Sequence, residues 1–174
     1  MTMKNIDDEA AERFLAQLGL TVFTAQALEY TMTSLFAATE LANTTHEPVP
    51  IDLKELMDAR YRQTLGTLIR EAGHYLQLDP DLIEDLEDAL HERNWLIHHS
   101  YREFAPASFD DELRDIAIDK LKRARKMFEE VSDTIGEITI SRILETGVSR
   151  SEVMKGIEKA TQEYIKEMLS ENAT

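Results

Sequence analysis

Residues 117–138 read Ala-Ile-Asp-Lys-Leu-Lys-Arg-Ala-Arg-Lys-Met-Phe-Glu-Glu-Val-Ser-Asp-Thr-Ile-Gly-Glu-Ile. Their apolar members Ala117, Leu121, Ala124, Phe128, Val131, Ile135 and Ile138 recur at spacings of four and three. That 4–3 repeat puts one stripe on a single helix face and predicts a long helix packed along a neighbour. Ser108, after Ala105-Pro106-Ala107, is the expected cap of this fourth helix. Gly136 is a candidate kink, and Gly147 its C-terminal stop.

Outward from this stretch the pattern stays helical. A first helix is expected over about 7–42, opened by Asp7, Asp8 and Glu9, which suit a helix N-terminus. Its stripe is Phe14, Leu18, Ala25, Leu28, Met32 and Leu35, with a possible break at Gly19. A polar connector over 43–50 leads to a second helix over 52–76. Asp52 and Glu55 form its capping box, and Leu53, Leu56, Met57, Tyr61, Leu65, Leu68, Ala72, Tyr75 and Leu76 its stripe. Asp79 then caps a third helix with Pro80 at its first position, running to about Phe104 with Ile83, Leu86, Leu90, Ile97 and Tyr101 on one side. Ser149 and Glu152 open a fifth, amphipathic helix carrying Val153, Ile157, Ala160, Ile165, Met168 and Leu169. The fold expected is all-α: an antiparallel bundle of four main helices over 7–146, with a C-terminal helical extension over 149–170 packed on the bundle or on a partner.

Composition narrows the function classes. The chain has 174 residues, 34 acidic against 19 basic, and a formal charge of −15. With 43% apolar and 30% charged residues it has the balance of a globular domain. It has no cysteine, which removes disulfides, thiol nucleophiles and zinc ribbons. The N-terminal segment lacks the basic and apolar regions of a secretory signal, and no stretch approaches the roughly 20 apolar residues of a membrane helix. A soluble, cytoplasmic protein without membrane partners is expected. The acidity counts against binding driven by phosphate contacts alone.

One segment carries chemistry: His91-Glu-Arg-Asn-Trp-Leu-Ile-His-His-Ser-Tyr101. On an unbroken helix at 100° per residue, with Ile83, Leu90 and Tyr101 as zero, Asn94 falls within about 20° of the stripe. His98 lies about 60° to one side and Arg93 about 80° to the other, while His99 points away. Asn94 is thus expected in a packed seam, bracketed by Arg93 and His98. A buried polar group there needs partners. The plain structural alternative makes Asn94 a satisfied amide, pairs Arg93 with Glu92 or Glu129, and leaves His98 on the rim.

Arg93-Asn94-x-x-x-His98 resembles the R-x4–6-H motif of the HEPN superfamily, small helical bundles of which many are endoribonucleases, including toxins of toxin–antitoxin pairs. The likeness spans roughly residues 10–135 in architecture and about six residues in motif. The resemblance implies a homodimer whose two motifs meet across a two-fold axis, and metal-independent RNA cleavage without a cofactor. His98 would act as general base or acid on the ribose 2′-hydroxyl or the leaving oxygen. Arg93 would stabilise charge developing on the phosphate, and Asn94 would orient the histidine or the phosphate. One branch of the family carries R-x4-H-x-Y, its tyrosine modified by a nucleotidyltransferase antitoxin. Tyr101 fits that pattern with His99 as the functional histidine, whereas helical phase favours His98. Lys120, Lys122, Arg123, Arg125 and Lys126 form a basic ridge suited to an RNA backbone, against the solvated helix face such a run usually is. Arg60, Arg62 and Arg70 are further cations without an assigned place.

Other constellations compete. Glu71-x-x-His74 and Asp88-x-x-His91 have the spacing of di-iron ligands, but no histidine follows His99 to supply the second pair. Glu84-x-x-Glu87 and Glu112-x-x-Asp115 resemble the Mg²⁺-binding carboxylates of MazG-like nucleotide pyrophosphohydrolases. The rival from another class is a non-catalytic dimeric HEPN-like module that binds a partner protein, an antitoxin among the candidates.

Overall fold

The structure, a computed structural model, describes residues 8–44, 59–60 and 62–171. Among them there is no strand, and the helices are α1 (Asp8–Thr44), α2 (Leu65–Tyr75), α3 (Pro80–His98), α4 (Ser100–Phe104), α5 (Asp111–Glu145) and α6 (Arg150–Glu171), with a 3-10 turn at Ala105–Ser108. No helix among the described residues is long and apolar enough to cross a membrane.

The heptad stripe becomes the spine of the core. Ala117, Leu121, Ala124, Phe128, Val131 and Ile135 are all buried, and Ile138 packs partly against them. They face the α1 stripe of Phe14, Ala25, Leu28, Met32 and Leu35, with Leu18 at its edge. α1 runs through Gly19 without interruption, because its neighbours supply enough continuous apolar contact to carry one weak helix former. Thr21, inside this interface, is fully buried and satisfied: its hydroxyl donates 2.8 Å to the Gln17 carbonyl and lies 3.3 Å from that of Leu121.

Side-chain pairings fix the helix directions. Gly73 faces Ile83 and Gly66 faces Leu90, so α2 and α3 are antiparallel. Lys120 stands over Trp95, while Asp85 and Asp88 share a cleft with the later residues Arg123–Thr134, so α3 and α5 are antiparallel too. α1 and α5 meet at both ends in the same order. Near their starts, Phe14 packs edge-on against Phe104, and Arg114 Nε donates to the Ala107 carbonyl. Near their ends, Arg142 donates to the Leu76 carbonyl, and Leu76 shares a cavity with Phe36, Thr39 and Glu40. α1, α2 and α5 therefore run one way and α3 the other.

The expected second helix is not continuous among the described residues. A turn interrupts it: Gln63 N–H donates to the Arg60 carbonyl, and Thr64 starts α2 afresh by accepting from Thr67 N–H. Arg60, before the turn, is held by Glu40 at 2.6 Å and Glu71 at 2.7 Å and lies over the Phe36 ring. The expected Asp52–Glu55 capping box, Leu53, Leu56, Met57 and Tyr61 fall outside the described residues, as do Asp7 and His46. Of the remaining stripe, Leu65, Leu68, Ala72 and Leu76 are buried but Tyr75 is exposed.

Helix boundaries elsewhere follow their caps. Asp79 accepts from Asp81 N–H with Pro80 in the first turn, as its sequence dictates. Asp110, and not Ser108, caps α5, accepting from Leu113 N–H, because Ala105–Ser108 is taken up by the 3-10 turn. Gly136 leaves α5 unbroken. Gly147 takes φ +90°, the left-handed value that ends a helix, and Ser149 with Glu152 form the reciprocal cap of α6. Val153 tucks into the bundle while Met154 is half exposed.

Candidate functional site

α2 lies against Ile83 and Leu90, and further along α3 the same side is exposed at Asn94, Ile97 and His98. Ile97 is 47% exposed and Tyr101 88%. The core-facing side of α3 is instead Leu82, Leu86, Ala89 and Leu96, about 100° round from the expected stripe. Asn94 is accordingly exposed, not buried in a seam within the chain, and His98 and His99 are exposed beside it. Asn94, Ile97 and His98 fall within a sector of about 100° on α3.

Arg93 sits on the inward side. Its Nη2 pairs with Glu29 Oε1 of α1 at 2.7 Å, and its Nη1 donates to Asn94 Oδ1 at 3.3 Å. Its partner is thus neither Glu92 nor Glu129. Both side chains of the pair stay about a third open, 29% for Arg93 and 32% for Glu29. Arg93 and His98 project about 140° apart, and no hydrogen bond joins them within the chain. Asn94 alone links the arginine to the exposed stripe.

Just past His98 the helix breaks. His99 takes φ −124° and ψ −23°, its N–H still bonded to the Trp95 carbonyl, and Ser100 begins the short α4. A compact cluster brackets the break. Trp95 Nε1 donates to Glu103 Oε2 at 2.7 Å, Lys120 Nζ pairs with Glu103 Oε1 at 2.7 Å, and that ammonium lies 3.6 Å from the Trp95 ring centroid. Phe104 packs edge-on against Trp95, with centroids 5.4 Å apart. The Lys120 hydrogen bond, helped by that of Trp95, holds the Glu103 carboxyl below the usual glutamate range. Sequence reading missed Glu103 and Glu29 as partners, because the contacts join different helices.

The basic run is largely compensated. Lys122 pairs with Asp119, Arg125 with Glu129 and Lys126 with Glu130, all within α5, while Lys120 is engaged by Glu103. Arg123 lines a cleft of about 350 Å³ with Lys126, Asp85 and Asp88. Among the described residues no three His, Asp or Glu side chains gather where they could hold a metal. Glu71 is taken by Arg60 and Gln63. Glu84 and Glu87 lie on α3 opposite the later half of α5, whereas Glu112 and Asp115 open α5, roughly 20 Å away along its axis.

Comparison with family models, with curated proteins and with solved structures finds no match to this chain.

Proposed function

We propose that this protein is a HEPN-like, metal-independent endoribonuclease that works as a homodimer, with a composite site built from the Arg93-Asn94-x-x-x-His98 motifs of two copies. The observation that carries the reading is an exposed surface at the end of α3 and the start of α4, where Asn94, Ile97, His98 and Tyr101 all face outward. Two apolar side chains flanked by an amide and an imidazole suit a second copy of the same stripe, which a two-fold axis brings together.

In such a site His98 of one copy removes the proton from a ribose 2′-hydroxyl as that oxygen attacks the adjacent phosphorus. The bond from phosphorus to the 5′-oxygen breaks, and a protonated imidazole from the partner supplies that oxygen with a proton. Arg93 leaves its pairing with Glu29, or shares it, to stabilise the charge on the phosphoryl oxygens, and Asn94 keeps the guanidinium beside the stripe. Release of such an activity in a cell makes the toxin of a toxin–antitoxin or defence system the natural setting, with an antitoxin as partner.

The compensated cations and the Arg93–Glu29 pair favour a second reading, a non-catalytic dimeric helical module that binds a partner protein. Expression of wild type and the Arg93→Ala/His98→Ala double variant separates the two. The ribonuclease gives growth arrest and RNA degradation with wild type alone. The module gives intact RNA with both.

A further inference from the structure

The Trp95–Glu103–Lys120 cluster sits at the rim of the core, against which Trp95 packs, and the motif does not use it. Its three members come from three elements: Trp95 from the last turn of α3, Glu103 from α4 and Lys120 from α5. Glu103 spends one carboxylate oxygen on each neighbour, at 2.7 Å in both cases, and Lys120 covers the indole face as well. The residues between Trp95 and Glu103 include His98, the helix break at His99, and Tyr101. On its inner side the segment is held by backbone bonds from His99 N–H to the Trp95 carbonyl and from Glu103 N–H to the His99 carbonyl, with Leu96 and Ser100 buried. Ser100 Oγ donates back to the Leu96 carbonyl and Phe104 anchors its far end, but His98, His99 and Tyr101 are all exposed.

We propose that Trp95, Glu103 and Lys120 form a clamp that sets the angle of the α3–α4 break and thereby positions His98 and His99. The Trp95–Glu103 bond spans the break, so α4 cannot swing relative to α3 without breaking it. Lys120 ties the bridged pair to α5, whose apolar stripe lies in the core. A side chain held on an otherwise uncovered helix end needs such second contacts to keep its geometry. Glu103 and Lys120 are positioning residues and do not touch the reacting atoms. The clamp also removes Lys120 from the candidate RNA-binding ridge, giving it an opposite prediction from a phosphate contact.

The activity consequence rests on the ribonuclease reading, while the geometric claim is independent of it. The decisive variants are Glu103→Ala, Lys120→Met and Lys120→Arg, with Glu137→Gln, whose carboxylate pairs with Arg150 far from the motif, as control. In imidazole carbon–proton spectra of the full chain, Glu103→Ala and Lys120→Met are expected to shift or broaden the His98 and His99 signals and leave His74 unchanged. Lys120→Arg, which keeps the cation, is expected to retain them, as is Glu137→Gln. Trp95, the only tryptophan, reports the same change through its emission. RNA cleavage is expected to fall at least about tenfold in Glu103→Ala and in Lys120→Met and to be retained in Lys120→Arg. If Lys120 is instead a phosphate contact, Glu103→Ala frees it and cleavage rises, which overturns the proposal. Unchanged His98 and His99 signals in both Glu103→Ala and Lys120→Met also overturn it, whatever the wild type does to RNA. A wild type inert toward RNA whose histidine signals respond as expected overturns the ribonuclease reading and keeps the clamp.

Discussion

Arg93 shows how much a single residue's setting differs from its sequence neighbourhood. The motif spacing marks it out, yet its guanidinium is engaged by Glu29 across a helix interface, at a site about a third open to solvent. Such a half-exposed pair contributes little to stability. A double-mutant cycle with Glu29→Ala and Arg93→Ala, followed by urea unfolding, is expected to give a coupling of about 0.5–1 kcal/mol. Glu103 adds a pH dependence whose sign follows from its partner. Its carboxyl is held below the usual range by Lys120, so the folded state keeps the proton off where the unfolded chain takes it up. The contribution is present above the unfolded glutamate pKa and is lost as pH falls through the lower folded value. Urea midpoints measured from neutrality down to acid pH are expected to fall less in Lys120→Met than in wild type. Neither partner was legible in the sequence, because spacing along one helix carries no information about which helix packs opposite.

At the scale of elements, period and cap chemistry were legible. The heptads of α5, the Asp79-Pro80 start of α3 and the Ser149–Glu152 cap depend on residues close in sequence, which local geometry alone brings together. The break before Thr64 and the one at His99 depend on tertiary contacts, so an unbroken helical pattern ran through both. The phase error on α3 has the same origin. Ile83 and Leu90 are apolar where α2 covers them, whereas Asn94, further along the same line, is exposed. Two substitutions test this level. Gly19 lies mid-helix with open space where a Cβ would go, so Gly19→Ala is expected to stabilise by roughly 0.5–1 kcal/mol in urea unfolding. Thr64 caps α2, so Thr64→Ala is expected to destabilise by about 1 kcal/mol.

Among the described residues, a parallel pair of long helices, α1 and α5, holds the core, and α3 crosses them in the opposite sense with one side of its last turns exposed. Phe128, fully buried in the stripe that first identified the fold, makes the core the dominant stabiliser. Phe128→Ala is expected to cost about 3–5 kcal/mol, read as a loss of unfolding midpoint. Within the formal charge of −15 the basic run on α5 is mostly paired within its own helix, while Asn94, Ile97 and His98 at the motif end of α3 form an exposed face. On that face rests the central claim, that His98 does chemistry on RNA without a metal. The most direct measurement incubates purified wild type and His98→Ala with a defined RNA in the presence of a chelator, and follows 2′,3′-cyclic phosphate ends. The expected result is cleavage by wild type and a loss of at least about a hundredfold in His98→Ala. No cleavage by wild type, or equal cleavage by both proteins, would contradict it.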